Sequence, residues 1–186
     1  MPDQLLMHYT DNLQSPRLTT RFVTLDDVAV WTEYCADPIA TAFTALPDKT
    51  PEQMAQFVIE ATLKRYAVGR GGLQALICRE TGAFIGQCGL FIQDVNSIPE
   101  TEVGYHLIPR YWGMGYATEA AQLFRNYGFE QYPLDSIVSI IHPENEASKK
   151  VALRNGMHLP NPDADFRGTK YEMYRITRKE WEKLNG

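Results

Sequence analysis

Residues 101–120 read TEVGYHLIPRYWGMGYATEA, and this stretch decides the fold. Apolar and polar side chains alternate from Thr101 to Ile108, which predicts a strand. Gly113 and Gly115 then predict a tight turn. Apolar side chains return at helical spacing at Ala120, Leu123, Phe124 and Tyr127. The order is therefore strand, glycine turn and helix.

The two faces of this strand differ in chemistry. Alternation places Val103, Tyr105 and Leu107 on an apolar face, and Glu102, Gly104 and His106 on the other. A carboxylate beside a residue without a side chain leaves space for a ligand to approach the backbone, which favours a cleft. Alternation alone leaves equally open that Glu102 and His106 simply face water.

The glycine turn predicts an anion site, because free backbone N–H groups and a helix dipole meet at a strand-to-helix turn. Phosphate suits such a site, although glycines also occupy tight turns for steric reasons alone. A dinucleotide-binding fingerprint fits poorly, because Thr118 occupies its third small position and Asp135 begins the next strand. The sequence has no nucleoside-triphosphatase loop either.

A third informative element, residues 142–157, follows the apolar strand 137–141. Within it, Asn145 to Asn155 predicts a helix that Gly156 stops. Asn145 stands where a helix cap is expected, and Ser148 lies three residues further on. A cap and an ordinary early-helix hydroxyl are the alternatives to functional roles for these two side chains.

The rest of the chain predicts a mixed sheet. Strands are expected at 17–23, 73–78, 84–92, 157–166 and 169–177, and helices at about 25–35 and 51–67. Thr50, Pro51 and Gln53 form a capping box before the second of these helices. We expect an α/β (α+β) fold, with a mostly antiparallel central sheet and helices on both faces. Residues 1–16 are expected to form an N-terminal extension and 17–186 a single domain.

Composition narrows the classes of function. The chain has 186 residues and a net charge of −5, so a nucleic-acid partner is disfavoured. No apolar run is long enough to cross a bilayer and no targeting segment is evident, which favours a cytoplasmic protein without a membrane partner. Three cysteines without metal-ligand spacing predict buried thiols and no metal site, with one reactive thiol as the alternative.

Together these elements resemble the GNAT superfamily of acetyl-CoA-dependent N-acetyltransferases, especially the branch that includes the ribosomal-protein N-terminal acetyltransferases. The resemblance spans about residues 17–176. It rests on the order of the motifs, which are Arg17-Leu18-x-x-Arg21, Glu102-Val103-Gly104-Tyr105, Arg110-x-x-Gly113-x-Gly115-Tyr116-Ala117-Thr118-Glu119-Ala120, Asn145-x-x-Ser148 and Gly156. It implies acetyl-CoA as cosubstrate, held by the phosphate-loop residues Arg110, Trp112, Gly113, Met114, Gly115, Tyr116 and Ala117, by Asn145, and by the backbone of His106, Leu107 and Ile108.

The resemblance also implies roles and departures. Glu102 is the candidate base that deprotonates an amine acceptor, which is a small molecule or a protein N-terminus. Met114 replaces a basic residue common between the loop glycines, and Ala152 stands where many members carry a tyrosine that protonates the leaving thiolate. Ser148 is the candidate substitute. An acyl-CoA-binding sensor without turnover, a dinucleotide-binding module and a homodimer remain open.

Overall fold

The computed structural model describes residues 6–166 and 168–186. In this part of the chain, seven strands form one sheet with the order β1-β2-β3-β4-β5-β7-β6. The strands are β1 Leu18–Arg21, β2 Gln74–Cys78, β3 Phe84–Val95, β4 Ile98–Leu107, β5 Ser136–Ile141, β6 His158–Phe166 and β7 Thr169–Thr177. Neighbouring strands are antiparallel except β4 and β5, which are parallel.

Helices cover both faces of the sheet. They are α1 Val28–Ala36, α2 Pro38–Thr41, α3 Pro51–Ala67, α4 Tyr116–Gln131, α5 Glu146–Arg154 and α6 Arg178–Asn185. The predicted fold class, a mixed and mostly antiparallel sheet with helices, is confirmed. The capping box at Thr50 and Gln53 is present, and α3 begins at Pro51 as the sequence predicts. None of the described helices is long and apolar enough to cross a bilayer.

The sheet separates the two larger of the three hydrophobic clusters in the described part of the chain. One cluster buries Val103 and Leu107 of β4 together with Phe124 and Phe129 of α4. The other joins the sheet to α1 and α3, and its buried side chains include Trp31, Tyr34, Ile59, Ala75 and Phe84. Because side chains alternate along β4, the apolar set of Val103, Tyr105 and Leu107 faces α4. The other set, Glu102, Gly104 and His106, faces α1. The predicted buried state of Cys35, Cys78 and Cys88 is confirmed.

Strand β4 begins earlier than the sequence predicts. It pairs with β3 from Gly86↔Leu107 to Val95↔Ile98, so only two residues, Asn96 and Ser97, join the strands. Their φ angles are 51° and 62°, the left-handed conformation that tight hairpin turns require. The sequence did not predict this hairpin, because Pro99 lies in the first part of β4 and a proline argues against a strand interior.

Strands β4 and β5 pair at one position and then separate, and we call this arrangement the fork. Their ladder holds one register pair, Glu102↔Val138, and no further pair follows toward the C-terminal ends of the two strands. Two side-chain bonds close the fork at its base. The Ser139 hydroxyl donates to the Val103 carbonyl at 2.9 Å, and the Ile140 backbone N–H donates to Glu102 Oε1 at 3.3 Å.

The segment expected as an N-terminal extension packs on the domain over its described part, residues 6–16. Met7 is buried and bridges to Arg70. The Tyr9 hydroxyl donates to the Leu90 carbonyl. Residues 1–5 lie outside the described residues. This segment leads directly to Arg17, which contacts the glycine turn described below.

Candidate active site

A cavity of about 590 Å³ occupies the gap of the fork. The sheet divides its lining into two parts. We call one the α1 half, which contains Tyr34, Ile39, Ala40, Phe43, Thr44, Glu102, Gly104, His106, His142 and Tyr171. We call the other the α5 half, which contains Tyr105, Trp112, Gly113, Gly115, Tyr116, Ala117, Thr118, Asn145, Ser148, Lys150, Val151 and Arg154.

Glu102 lies at the base of the fork. It is 8% exposed, so the alternative that this carboxylate simply faces water is wrong. Its Oε1 accepts the Ile140 N–H at 3.3 Å, and the side chain lines the cavity. Glu102 thus combines a structural contact with a position at the cavity wall.

His106 is partly buried and is held by α1. Its Nδ1 lies 3.1 Å from the Tyr34 hydroxyl oxygen, which lies 2.8 Å from the Ala40 carbonyl oxygen and 3.0 Å from Thr44 Oγ1. A phenol has one proton and a carbonyl only accepts, so Tyr34 donates to Ala40 and His106 Nδ1–H donates to Tyr34. We assign this tautomer from the network, and it leaves Nε2 as an acceptor. Burial lowers the pKa of His106 to about 4.

The glycine turn leads into the α5 half. Gly113 and Gly115 adopt φ angles of 76° and 81°, which the absence of a Cβ permits, and Gly115 is the N-cap of α4. The Trp112 indole N–H donates to the Leu107 carbonyl at 2.8 Å, which fastens the turn to the end of β4. The first backbone N–H groups of α4 have no intrahelical acceptors, so they are available to an anion.

Arg17 supports the turn from outside the cavity. Its guanidinium donates to the Met114 carbonyl at 2.9 Å and to Glu119 Oε2 at 2.6 Å, and it lies 4.4 Å from the centre of the Tyr116 ring. Glu119 belongs to the first turn of α4. The sequence marked Arg17 only as part of a motif at the start of the domain. Its contact with a loop about 100 residues away has no local sequence signal.

Three of the residues expected to hold the cosubstrate have side chains outside the cavity lining. Arg110 forms an ion pair with Glu33 on the surface. Ile108 is fully buried in the cluster beside α1, and Met114 is 53% exposed. The structure brings the other expected positions to the cavity wall, namely His106, Leu107, Trp112, Gly113, Gly115, Tyr116, Ala117 and Asn145.

Helix α5 places Ser148 at the cavity. Asn145 is the N-cap, and its Oδ1 accepts the Ser148 N–H at 3.1 Å, so the expected capping role is present. The Tyr105 hydroxyl donates to the Ser148 carbonyl at 3.0 Å, which ties β4 to α5 across the gap. Ala152 is fully buried one turn further along the helix. Sequence reasoning singled out Ser148 but missed its contact with Tyr105.

The α1 half also contains aromatic side chains that sequence reasoning missed. Phe43 stacks on His142 with ring centres 4.9 Å apart, and His142 meets Tyr171 edge to face at 5.9 Å. These residues come from three separate segments without a shared motif, so nothing in the sequence brings them together. Among the described residues, no group of three His, Cys, Asp or Glu side chains is placed to hold a metal ion.

Comparison with known proteins agrees with this architecture. Residues 17–158 match the family model described as acetyltransferase (GNAT) domain. An N-acetyltransferase of Bacillus licheniformis, p20, is 32% identical over 141 residues, which are 76% of this chain and 79% of the relative. The chain therefore belongs to the GNAT family of N-acetyltransferases, as the resemblance of its motifs implied.

Solved structures show the same fold. An acetyltransferase from Agrobacterium tumefaciens superimposes with a TM-score of 0.77 at 29% identity, covering 93% of this chain and 98% of the other. RimL, a ribosomal L7/L12 α-N-protein acetyltransferase solved with coenzyme A, gives a TM-score of 0.69 at 17% identity, covering 90% and 98%. At that identity the likeness to RimL concerns the fold alone.

We predict that His106 stays neutral above about pH 5, because burial lowers its pKa from 6.5 to about 4. The unfolded chain binds the proton first as the pH falls, so stability decreases between pH 6.5 and 4. This group contributes at most about 1.4 kcal/mol per pH unit to that decrease. Nitrogen NMR of the imidazole should show the Nδ1–H tautomer.

Urea unfolding of wild type and His106→Gln across this pH range measures the contribution of the group. The variant should lose part of the pH dependence below pH 6.5. Protonation of His106 near pH 6.5 in the folded protein would contradict the assignment.

Proposed function

We propose that the protein transfers the acetyl group of acetyl-CoA directly to a primary amine in a ternary complex. The fork between β4 and β5 carries this proposal, because it opens one cavity to both faces of the sheet. A donor and an acceptor that enter from opposite faces meet in the gap. Membership of the GNAT family supports the same reaction.

The α5 half is suited to acetyl-CoA. The Trp112 N–H of the turn 112–117 already donates to the Pro109 carbonyl. The N–H groups that follow at the N-terminus of α4 favour a pyrophosphate by hydrogen bonds and by the helix dipole. Beyond its one pair with β5, the edge of β4 that carries the expected segment His106–Ile108 suits the amide groups of the pantetheine arm. Two backbone groups of this segment are already bonded, since the Leu107 carbonyl accepts from the Trp112 indole and the Ile108 N–H donates to the Ile85 carbonyl. Asn145 lines the same half. Arg110 and Met114 enter this proposal only through their backbone, since Arg110 pairs with Glu33 and neither side chain lines the cavity.

Glu102 is the base in this proposal. Amines have pKa values of about 8 to 10.4, so attack at neutral pH requires loss of a proton. The amine nitrogen forms a bond to the acetyl carbonyl carbon, the carbon–sulfur bond breaks, and the proton passes to Glu102, directly or through one water. Backbone N–H groups of β4 stabilise the developing oxyanion. The Ser148 hydroxyl donates a hydrogen bond to the departing sulfur.

The alternative of an acyl-CoA-binding sensor without turnover is less well supported. Met114 and Ala152 motivated it, but Glu102 and Ser148 both line the cavity, and the chain belongs to a family of acetyltransferases. Release of CoA from acetyl-CoA in the presence of an amine separates the two functions. A cytoplasmic location without nucleic-acid or membrane partners belongs to the proposal as well, and the net charge of −5 disfavours a nucleic-acid partner. A homodimer remains a hypothesis.

Acetyl-CoA should raise the melting temperature, because a ligand that binds the native state adds about 2.7 kcal/mol at a hundredfold excess over its Kd. Thr118→Glu should abolish this shift by placing a carboxylate at the phosphate site. Thr118 is helical, whereas a substitution at Gly115 would also strain a φ of 81°. The exposed Gln131→Glu adds the same charge at the other end of α4 and should keep the shift. An unchanged shift in Thr118→Glu would contradict the phosphate site.

Glu102→Gln should lower kcat/KM by roughly 10²- to 10⁴-fold, because an amide cannot take the proton of the amine. The amide oxygen still accepts the Ile140 N–H, so the fork and the acetyl-CoA-induced shift in melting temperature should be preserved. The acidic limb of the pH–rate profile should also change. A loss below about tenfold with an unchanged limb would leave Glu102 with the structural contact alone.

Ser148→Ala should lower kcat while leaving stability and acetyl-CoA affinity near wild type. The lost bond forms mostly in the transition state, and by analogy with oxyanion-hole donors its removal costs about 2 to 4 kcal/mol. The Tyr105 bond goes to the Ser148 carbonyl, so alanine retains it. Single-turnover and steady-state rates with saturating acceptor measure the effect. Wild-type turnover would make Ser148 an ordinary early-helix serine.

A further inference from the structure

The α1 half also indicates what kind of acceptor enters the site. Residues 39–44 lie next to the face of β4 that carries Glu102 and His106, because Tyr34 joins His106 to Ala40 and Thr44 by hydrogen bonds. Phe43 then reaches the end of β5 by stacking on His142. The α1 half is therefore one continuous wall, separate from the turn and helix that are suited to acetyl-CoA.

This wall is mainly apolar and aromatic. Ile39 and Phe43 are 72% and 36% exposed, although both are large apolar side chains. Exposed apolar side chains that gather at a cavity mouth mark a binding surface rather than scattered surface hydrophobicity. Tyr171 extends the aromatic surface through its edge-to-face contact with His142.

Few charged side chains line the cavity, and the positive ones all belong to the α5 half. Among the described lining residues, Glu102 is the one carboxylate, and the two cations, Lys150 and Arg154, belong to α5. Glu172 follows the lining residue Tyr171 in the chain, but its carboxylate forms an ion pair with Lys149. A second positive charge on the acceptor would thus meet no carboxylate on the wall besides the proposed base. Burying an unpaired charge is costly.

The hydrogen bonds of Tyr34 show which acceptor His106 offers to a ligand. The Tyr34 hydroxyl already has three neighbours, namely Ala40, Thr44 and His106. In the tautomer assigned above, His106 Nε2 remains as a neutral acceptor, which suits the N–H of an amine. The wall therefore provides neutral acceptors for an amino group and an apolar surface for the rest of the molecule, with Glu102 as its one carboxylate.

We propose that the acceptor is a small primary amine on an aromatic or aliphatic body that carries no second charge, bound against Phe43 and Ile39. This inference rests on the proposed function. The cavity of about 590 Å³ also has to admit the pantetheine arm, which favours a small acceptor over a long polar chain.

The test compares acceptors by CoA release from acetyl-CoA. We expect 2-phenylethylamine and hexylamine to give a kcat/KM at least tenfold above that of spermidine, kanamycin or a peptide with a free N-terminal serine. A higher value for spermidine, kanamycin or the peptide would overturn the proposal. If no amine releases CoA while acetyl-CoA still raises the melting temperature, the proposed function itself fails, and this inference fails with it.

Two phenylalanine variants locate the binding surface. Phe43→Ala should lower kcat/KM for 2-phenylethylamine about tenfold, mainly through KM, and leave the acetyl-CoA-induced shift in melting temperature unchanged. Phe57→Ala is the matched control, because Phe57 is 48% exposed on α3 and outside the cavity lining. Equal effects of the two substitutions would overturn the assignment of the acceptor to this wall.

Discussion

The separation of β4 from β5 is the constraint on which the site depends. Past the Glu102↔Val138 pair, the two strands present backbone N–H and C=O groups to the cavity instead of to each other. Such groups require partners when they are buried, and a ligand with amide groups can supply them. The bond between Glu102 and the Ile140 N–H fixes where the separation begins. Glu102 thereby sets the geometry of the site in addition to its proposed role as the base.

Glu119, in the first turn of α4, places a negative charge close to the turn that is proposed to hold an anion. Burial alone would raise the pKa of Glu119, but hydrogen bonds from Ser15 and Arg17 lower it, so the group is ionised near the proposed phosphate site. Arg17 offsets this negative charge and also holds the Met114 carbonyl. The packing of residues 6–16 on the domain therefore contributes to the site, since it leads the chain to Arg17.

The sequence predicted the parts of this molecule that depend on local backbone chemistry. Alternation and capping residues predicted most of the strands, the start of α3 and the Asn145 cap, because each depends on neighbours within about four residues. The fold class then followed from the order of these elements. The sequence could not predict the paths of the Arg17 and Arg110 side chains. Arg17 contacts a loop 97 residues away, and Arg110 turns to Glu33, 77 residues away. These pairings depend on the packed fold.

The two halves of the cavity also differ in whether local backbone chemistry or long-range side-chain packing forms them. The α5 half is formed by a glycine turn, a helix start and a strand edge, so its recognition groups belong largely to the backbone and leave a short motif. The α1 half is formed by side chains such as Tyr34, Phe43, His142 and Tyr171, which come from distant segments. Substitutions there change the acceptor surface without disturbing the donor motif. The motif of the glycine turn therefore specifies acetyl-CoA far more closely than it specifies the amine. The identity of the amine depends on how α1 and α2 pack against β4.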